Sequence, residues 1–151
     1  MSGKTKGHKV ITVESKSHYQ KLIEDAGQTH VLIEFYATWC APCRIIGVRL
    51  EELAHEYADK LVILKIDVDD LEELAVEFDV SSMPTFAIVK NKVIVEKFVG
   101  SNPDKVESTL VKYCGKPDAT AATATASASP AKSGAGSSKA VAEAANGKSK
   151  K

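Results

Sequence analysis

The chain has 151 residues, 44% of them hydrophobic and 26% charged, which fits one domain of about 100–200 residues with an appendage. Basic and acidic side chains balance, but residues 116–151 carry six Lys against Asp118 and Glu143, so the rest of the chain is net acidic and lacks the basic face of a nucleic-acid-binding domain. No apolar run approaches the roughly 18–20 residues of a membrane span, so no membrane contact is expected.

Taken in chain order, residues 1–8 read as a short flexible lead. The opening MSGKTKGHKV is charged and has no apolar core followed by a cleavage site, so no secretory signal is expected. Residues 9–13 form a β-like run. Residues 15–27 read as a helix, with Ser17 and Gln20 spaced as a capping box and Gly27 as the stop. VLIEFY, residues 31–36, is a nearly continuous apolar run of strand type. Residues 42–57 are helical, with Ile46, Leu50, Leu53, Ala54 and Tyr57 on one face. LVILKID, residues 61–67, is another buried strand. Residues 70–78 read as a helix opened by Asp70 with Glu73 three residues on. Residues 85–90 and 93–99 are strands joined by the turn Asn91-Lys92, which reads as a hairpin. Asn102-Pro103 opens the last helix, with Val106, Leu110, Tyr113 and Cys114 along one face.

The order βαβαβαββα places the domain at 9–115 in the α/β class. Continuous apolar strands alternating with helices predict a parallel central sheet covered on both faces. The terminal hairpin adds antiparallel strands at one edge. Beyond it the text is Ala, Ser, Thr, Gly and Lys without an aromatic residue. Such a segment buries too little apolar surface to offset its ordering entropy, so 116–151 reads as a disordered tail. Its Ala content allows a transient helix over 138–145.

The stretch Trp39-Cys40-Ala41-Pro42-Cys43 stands where a buried strand hands over to a helix. A C-x-x-C pair at a helix start places both sulfurs within bonding reach, Cys40 toward the open end and Cys43 a turn further in. Unpaired N–H groups and the positive end of the helix dipole favour thiolate at Cys40, and the thiolate is what attacks disulfides. Pro42 fits the first turn, where its missing N–H costs nothing. These features point to a dithiol/disulfide exchange centre. Half of a zinc site is the main alternative, but Cys114, His8, His18, His30 and His55 are not spaced as a second pair of ligands, so no metal is expected. Three cysteines are too few for a disulfide-stapled scaffold, and the absence of a signal points to a reducing cytoplasm.

Glu34 lies inside a strand expected to be covered on both faces. Burial raises a carboxyl's pKa toward neutrality unless a cation compensates, which suits moving a proton to or from Cys43. Lys65, in the adjacent strand, is the natural partner, and the alternative is that Glu34 reaches water at the sheet's end. Met83-Pro84 precedes a strand, where a missing donor is tolerated. Gly100 follows the last strand as a turn residue. Cys114, on an apolar helix face, reads as a partly buried inert thiol, with a regulatory or dimer-forming role as the alternative. His18 and His55 read as solvated helix residues.

VLIEFYATWCAPC followed by a helix, LKIDVDD and SSMPTF resembles the thioredoxin family over about residues 9–114. The resemblance implies the thioredoxin fold, a central mixed five-stranded sheet flanked by four helices. It implies that Cys40 attacks, that Cys43 resolves through a redox-active Cys40–Cys43 disulfide, that Trp39 packs beside the pair and that Pro84 is a cis-proline facing it. Met83 would then offer its backbone to an extended substrate segment, with Gly100 keeping the neighbouring surface open and Ala41 and Pro42 beside it. Several positions depart from the family pattern. Glu34 stands for the usual Asp, Ala41 for Gly, Arg44 for a common Lys, Tyr36 for a frequent Trp and Val48 for a Pro.

The chain therefore reads as a protein-disulfide reductase that carries electrons to client disulfides in cell redox homeostasis. It needs no bound cofactor, is mostly monomeric, and would be recharged by thioredoxin reductase drawing on NADPH. The alternatives are an oxidant or isomerase of the same fold, or a binding module whose tail recruits a partner.

Overall fold

The structure, a computed structural model, describes residues 9–117. The expected lead over 1–8 and the expected tail beyond residue 117 lie outside the described residues. In chain order the elements are β1 (Val10–Thr12), α1 (Lys16–Ala26), β2 (His30–Tyr36), α2 (Ala41–Glu56), β3 (Leu61–Asp67), α3 (Glu72–Glu77), β4 (Thr85–Lys90), β5 (Val93–Val99) and α4 (Pro103–Cys114). They build one five-stranded sheet of order β1-β3-β2-β4-β5. β1, β3 and β2 run parallel, while β4 and β5 are antiparallel to their neighbours.

Alternation along the central strands divides the core into two layers. Val31, Ile33 and Phe35 of β2 join Val62, Leu64 and Ile66 of β3 beneath α1 and α3. Leu32 joins Ile63, Phe86 and Ile88 beneath α2 and α4. Glu34 belongs to the second set by parity, and so a carboxyl enters the layer under α2. Asn91 and Lys92 both have positive φ, 53° and 69°, as a two-residue hairpin turn of the twisted kind requires.

Two helix starts differ from the sequence reading. The capping box expected from Ser17 and Gln20 does not form, because Ser15 caps α1 two residues earlier. Its hydroxyl accepts from the His18 N–H at 3.0 Å, and the His18 ring accepts in turn from the Glu14 N–H at 3.0 Å. The imidazole thus takes up the backbone N–H one residue before the cap, much as Glu or Gln takes up the cap's own N–H in a capping box, so His18 is a cap partner rather than a solvated helix residue. The helix expected from Asp70 begins at Glu72, with Leu71 at the cap and no side-chain bond there. The chain at Asp70 is instead held in a turn, where the Asp70 and Leu71 N–H groups both donate to the Asp67 carbonyl. The other elements match the expected ranges to within a residue or two.

Candidate active site

β2 ends at the centre of the sheet, and the short loop after it carries the chain into α2. Cys40 is the N-cap of α2 and Pro42 occupies its first turn. Cys40 and Cys43 are disulfide-bonded, with Cα atoms 5.3 Å apart. The Cys43 N–H donates to Cys40 Sγ at 3.2 Å, so the sulfur takes the place of a capping oxygen at the positive end of the helix. In this oxidised form both cysteines are buried, Cys40 hardly less than Cys43. The openness expected of Cys40 belongs instead to its neighbours Trp39, Ala41 and Pro42, which are exposed. Ala37 and the two cysteines make a small apolar cluster against which Tyr36, Val68 and Met83 pack.

Beneath the pair, Glu34 is 2% exposed and its Oε2 has no hydrogen-bond partner. The carboxyl is almost wholly withdrawn from the protein surface, Oε2 most of all. Burial pushes its pKa up to about 7, and the charge of Lys65 opposes that rise without cancelling it. Glu34 and Lys65 are in register across β2 and β3. They do not form the expected ion pair, because the Lys65 ammonium lies over the Tyr36 ring, 4.8 Å from its centroid. Glu34, Tyr36, Cys43, Arg44, Glu51 and Lys65 all border a cavity of about 480 Å³. Glu34 and Cys43 thus border one space, roomy enough for the water that a buried carboxyl requires.

Around this centre the surface is built by loops. Trp39 is 67% exposed, and its indole N–H donates to Asp69 Oδ2 at 3.0 Å. The Met83–Pro84 peptide bond is cis, and Met83 packs against the cysteine cluster. The Thr85 hydroxyl donates to the Ser82 carbonyl at 2.6 Å, closing that loop. Gly100 donates its N–H to the Pro84 carbonyl at 2.9 Å with φ 122°, a conformation that only glycine adopts without strain. Its role is therefore to tie the end of β5 to the proline loop. Ile45 and Val48 continue the exposed apolar surface along α2.

Three participants were given no role in the sequence reading, although Arg44 and Tyr36 were noted as departures from the family pattern. Asp69, which anchors Trp39, is one of four acidic or apolar residues in DVDD, and nothing local marks it as the one that reaches the indole. Arg44 donates to the Thr38 carbonyl at 2.9 Å and so closes the loop before Cys40. Tyr36 appeared only as a departure from the family pattern, yet it is the residue on which Lys65 rests. Cys114 lies away from this centre, half-buried at the end of α4, with burial pushing its thiol up to about 11. Among the described residues no group of His, Cys, Asp or Glu is placed to hold a metal ion, and no helix is long and apolar enough to cross a membrane.

The thioredoxin family model matches residues 9–112. The chain belongs to the thioredoxin family. Thioredoxin-T of Drosophila melanogaster is 44% identical over 106 residues, which cover 70% of this chain and 68% of that protein. Thioredoxin of Equus caballus is 40% identical over 101 residues, covering 67% of this chain and 95% of its own. Among solved structures, Schistosoma mansoni thioredoxin superposes with a TM-score of 0.66 at 36% identity, covering 71% of this chain and 97% of that one. Family membership and the disulfide-linked pair at the start of α2 make the protein a thiol-disulfide oxidoreductase. Thioredoxins carry their electrons on the two sulfurs and need no bound cofactor.

Proposed function

We propose that the protein is a general protein-disulfide reductase. The Cys40 thiolate attacks one sulfur of a client disulfide, forming a mixed disulfide and displacing the second client sulfur as thiolate. Cys43 then loses its proton to Glu34 and attacks Cys40 Sγ, which expels the first client sulfur and leaves the Cys40–Cys43 disulfide. Two electrons have passed to the client. A thioredoxin reductase returns two electrons from NADPH and restores the dithiol. Extended client segments lie against Met83 as a short added strand, flanked by Trp39, Ala41, Pro42, Pro84 and Gly100. Lys65 sets the field at Glu34. The domain at 9–115 carries this chemistry as a cytoplasmic monomer, and the tail is accessory to it.

One observation carries the reading. A disulfide at a helix N-terminus shares a cavity with a buried carboxyl whose oxygen is unpaired and whose pKa burial pushes up to about 7. A group with a pKa close to ambient pH both accepts and returns a proton readily, and Cys43 is the buried sulfur that needs one moved. The test is NADPH consumption in a mixture of thioredoxin reductase, a disulfide-bonded protein and this chain. Turnover is expected, and Cys40→Ser abolishes it. A folded chain with an intact pair and no turnover sinks the general-reductant reading.

A further inference from the structure

Glu34 and Lys65 face the same side of the sheet from adjacent strands. Opposite charges so placed, one of them on a buried carboxyl, attract and would close into contact unless something holds them apart. None of the ion pairs among the described residues includes either side chain. The Lys65 ammonium instead sits over the face of Tyr36, and Glu34 Oε2 is left without a partner. Tyr36 is two residues beyond Glu34 on β2, on the same face and at the edge of the shared cavity. Its ring therefore competes with Glu34 for one cation. An aromatic face holds an ammonium best where water is partly excluded, as it is for a half-buried ring.

We propose that Tyr36 is a positioning residue whose ring keeps the Lys65 ammonium off Glu34, leaving the carboxyl unpaired beside Cys43. This rests on the reading of Glu34 as the proton carrier for Cys43. The other groups facing Glu34 do not supply a substitute cation. Arg44, from α2, spends its guanidinium on the Thr38 carbonyl. Glu51, also from α2, adds negative charge at the cavity wall, and Phe86, opposite on β4, is apolar. Tyr36 itself stays a phenol, because burial and then the charges of Asp67, Asp70 and Glu34 push its pKa up. The Cys40–Cys43 disulfide does not titrate. Closing the Lys65–Glu34 pair would hold Glu34 ionised through neutral pH and remove the protonated form that a proton carrier must visit.

The experiment is a carboxyl-carbon NMR titration of Glu34 in the full, oxidised chain, which reads the carboxyl without thiols, client or reductase. Tyr36→Leu frees Lys65, and the Glu34 midpoint is expected to fall by about one unit or more. Tyr36→Trp, which keeps a face for the cation, leaves the midpoint in place. Tyr36→Leu combined with Lys65→Met brings the midpoint back to or above the native value, a reversal that loss of packing alone does not produce. An unmoved midpoint in Tyr36→Leu, or the same fall with Lys65→Met present, overturns the proposal. If Tyr36→Leu does not fold, Lys65→Met in the native chain decides. A rise well under about one unit supports a cation held away, and a rise of several units shows a closed pair and overturns it. Glu34→Gln, by contrast, tests whether the carboxyl serves Cys43 at all, so the two readings fail separately.

Discussion

The two ends of α2 treat a buried glutamate in opposite ways. Near its C-terminal end, Glu56 is 3% exposed and is met by Arg49 at 2.9 Å, and the same guanidinium reaches Glu52 at 2.7 Å and Glu107 of α4 at 2.8 Å. Beneath its N-terminal end, Glu34 is equally buried and has an oxygen with no partner. The C-terminal end is closed further by the Tyr57 hydroxyl, which donates to the Gly115 carbonyl at 3.1 Å. At the N-terminal end large apolar side chains are exposed, Trp39, Ile45 and Val48. A charge that is paired serves the packing of α2 on α4. A charge left unpaired at a cost in stability is the local inconsistency expected of a functional site.

Removing the cation at the closed end should have the largest effect. Arg49→Met leaves Glu56 buried without a partner, and breaking such a pair costs about 3–5 kcal/mol. Most of that loss belongs to Glu56, since Glu52 and Glu107 are partly solvated and contribute little. Urea unfolding at neutral pH measures it. Replacing both partners, Arg49→Leu with Glu56→Leu, recovers most of the loss, because two apolar side chains leave no orphaned charge. A double variant as unstable as the single one would mean that α2 and α4 depend on the stems and not on the pairing.

At the open end the sign reverses. The Glu34 carboxyl has a pKa raised from 4.5 to about 7, so the folded state binds its proton more tightly than the unfolded chain does. The associated stability is fully present at low pH, below the unfolded value, and is lost as pH rises through the folded one. Glu34→Gln removes that loss. At pH 8 the variant should be more stable than the native chain by about 3 kcal/mol, and the advantage should fade as pH falls toward the ordinary carboxylate range. The same substitution slows the Cys43 step by about 100-fold, the usual scale of a positioned proton carrier. Unfolding curves at several pH values and single-turnover release of a client thiol check the two halves. A variant less stable at pH 8 would show that Glu34 is satisfied after all.

The contrast between the ends was only partly legible in the sequence. Continuous apolar runs gave the order and class of the strands, and a carboxyl inside VLIEFY announced its own burial. C-x-x-C at a strand-to-helix junction announced the sulfur chemistry. What stayed hidden were choices among neighbours at similar range. Lys65 had a carboxyl and an aromatic ring within reach, and the strand pattern does not say which it takes. Arg49, Glu52 and Glu56 show helical spacing, but Glu107 is far along the chain, and only the packing of α4 on α2 brings it in. Ser15 and Ser17 both fit a cap by composition. His18, a residue outside the usual capping pattern, decided for Ser15.

The smallest effect is expected at the surface of the open end. Asp69 reaches Trp39 across an exposed loop, and its own N–H donates to Asp67 Oδ1 at 2.8 Å, so the loop keeps its turn when the Asp69 carboxylate is removed. Asp69→Ala should therefore cost less than about 1 kcal/mol in unfolding, the scale of one solvated hydrogen bond. Its consequence lies in the indole, which loses the contact that fixes its orientation beside Cys40. A loose indole must be ordered each time a client docks, at about 0.5–1.5 kcal/mol for an immobilised side chain. That converts to roughly a 2- to 10-fold rise in KM for a protein disulfide, while a small disulfide that does not touch Trp39 keeps its rate. Equal losses for both substrates would place Asp69 in the chemistry of the pair rather than in the surface that receives the client.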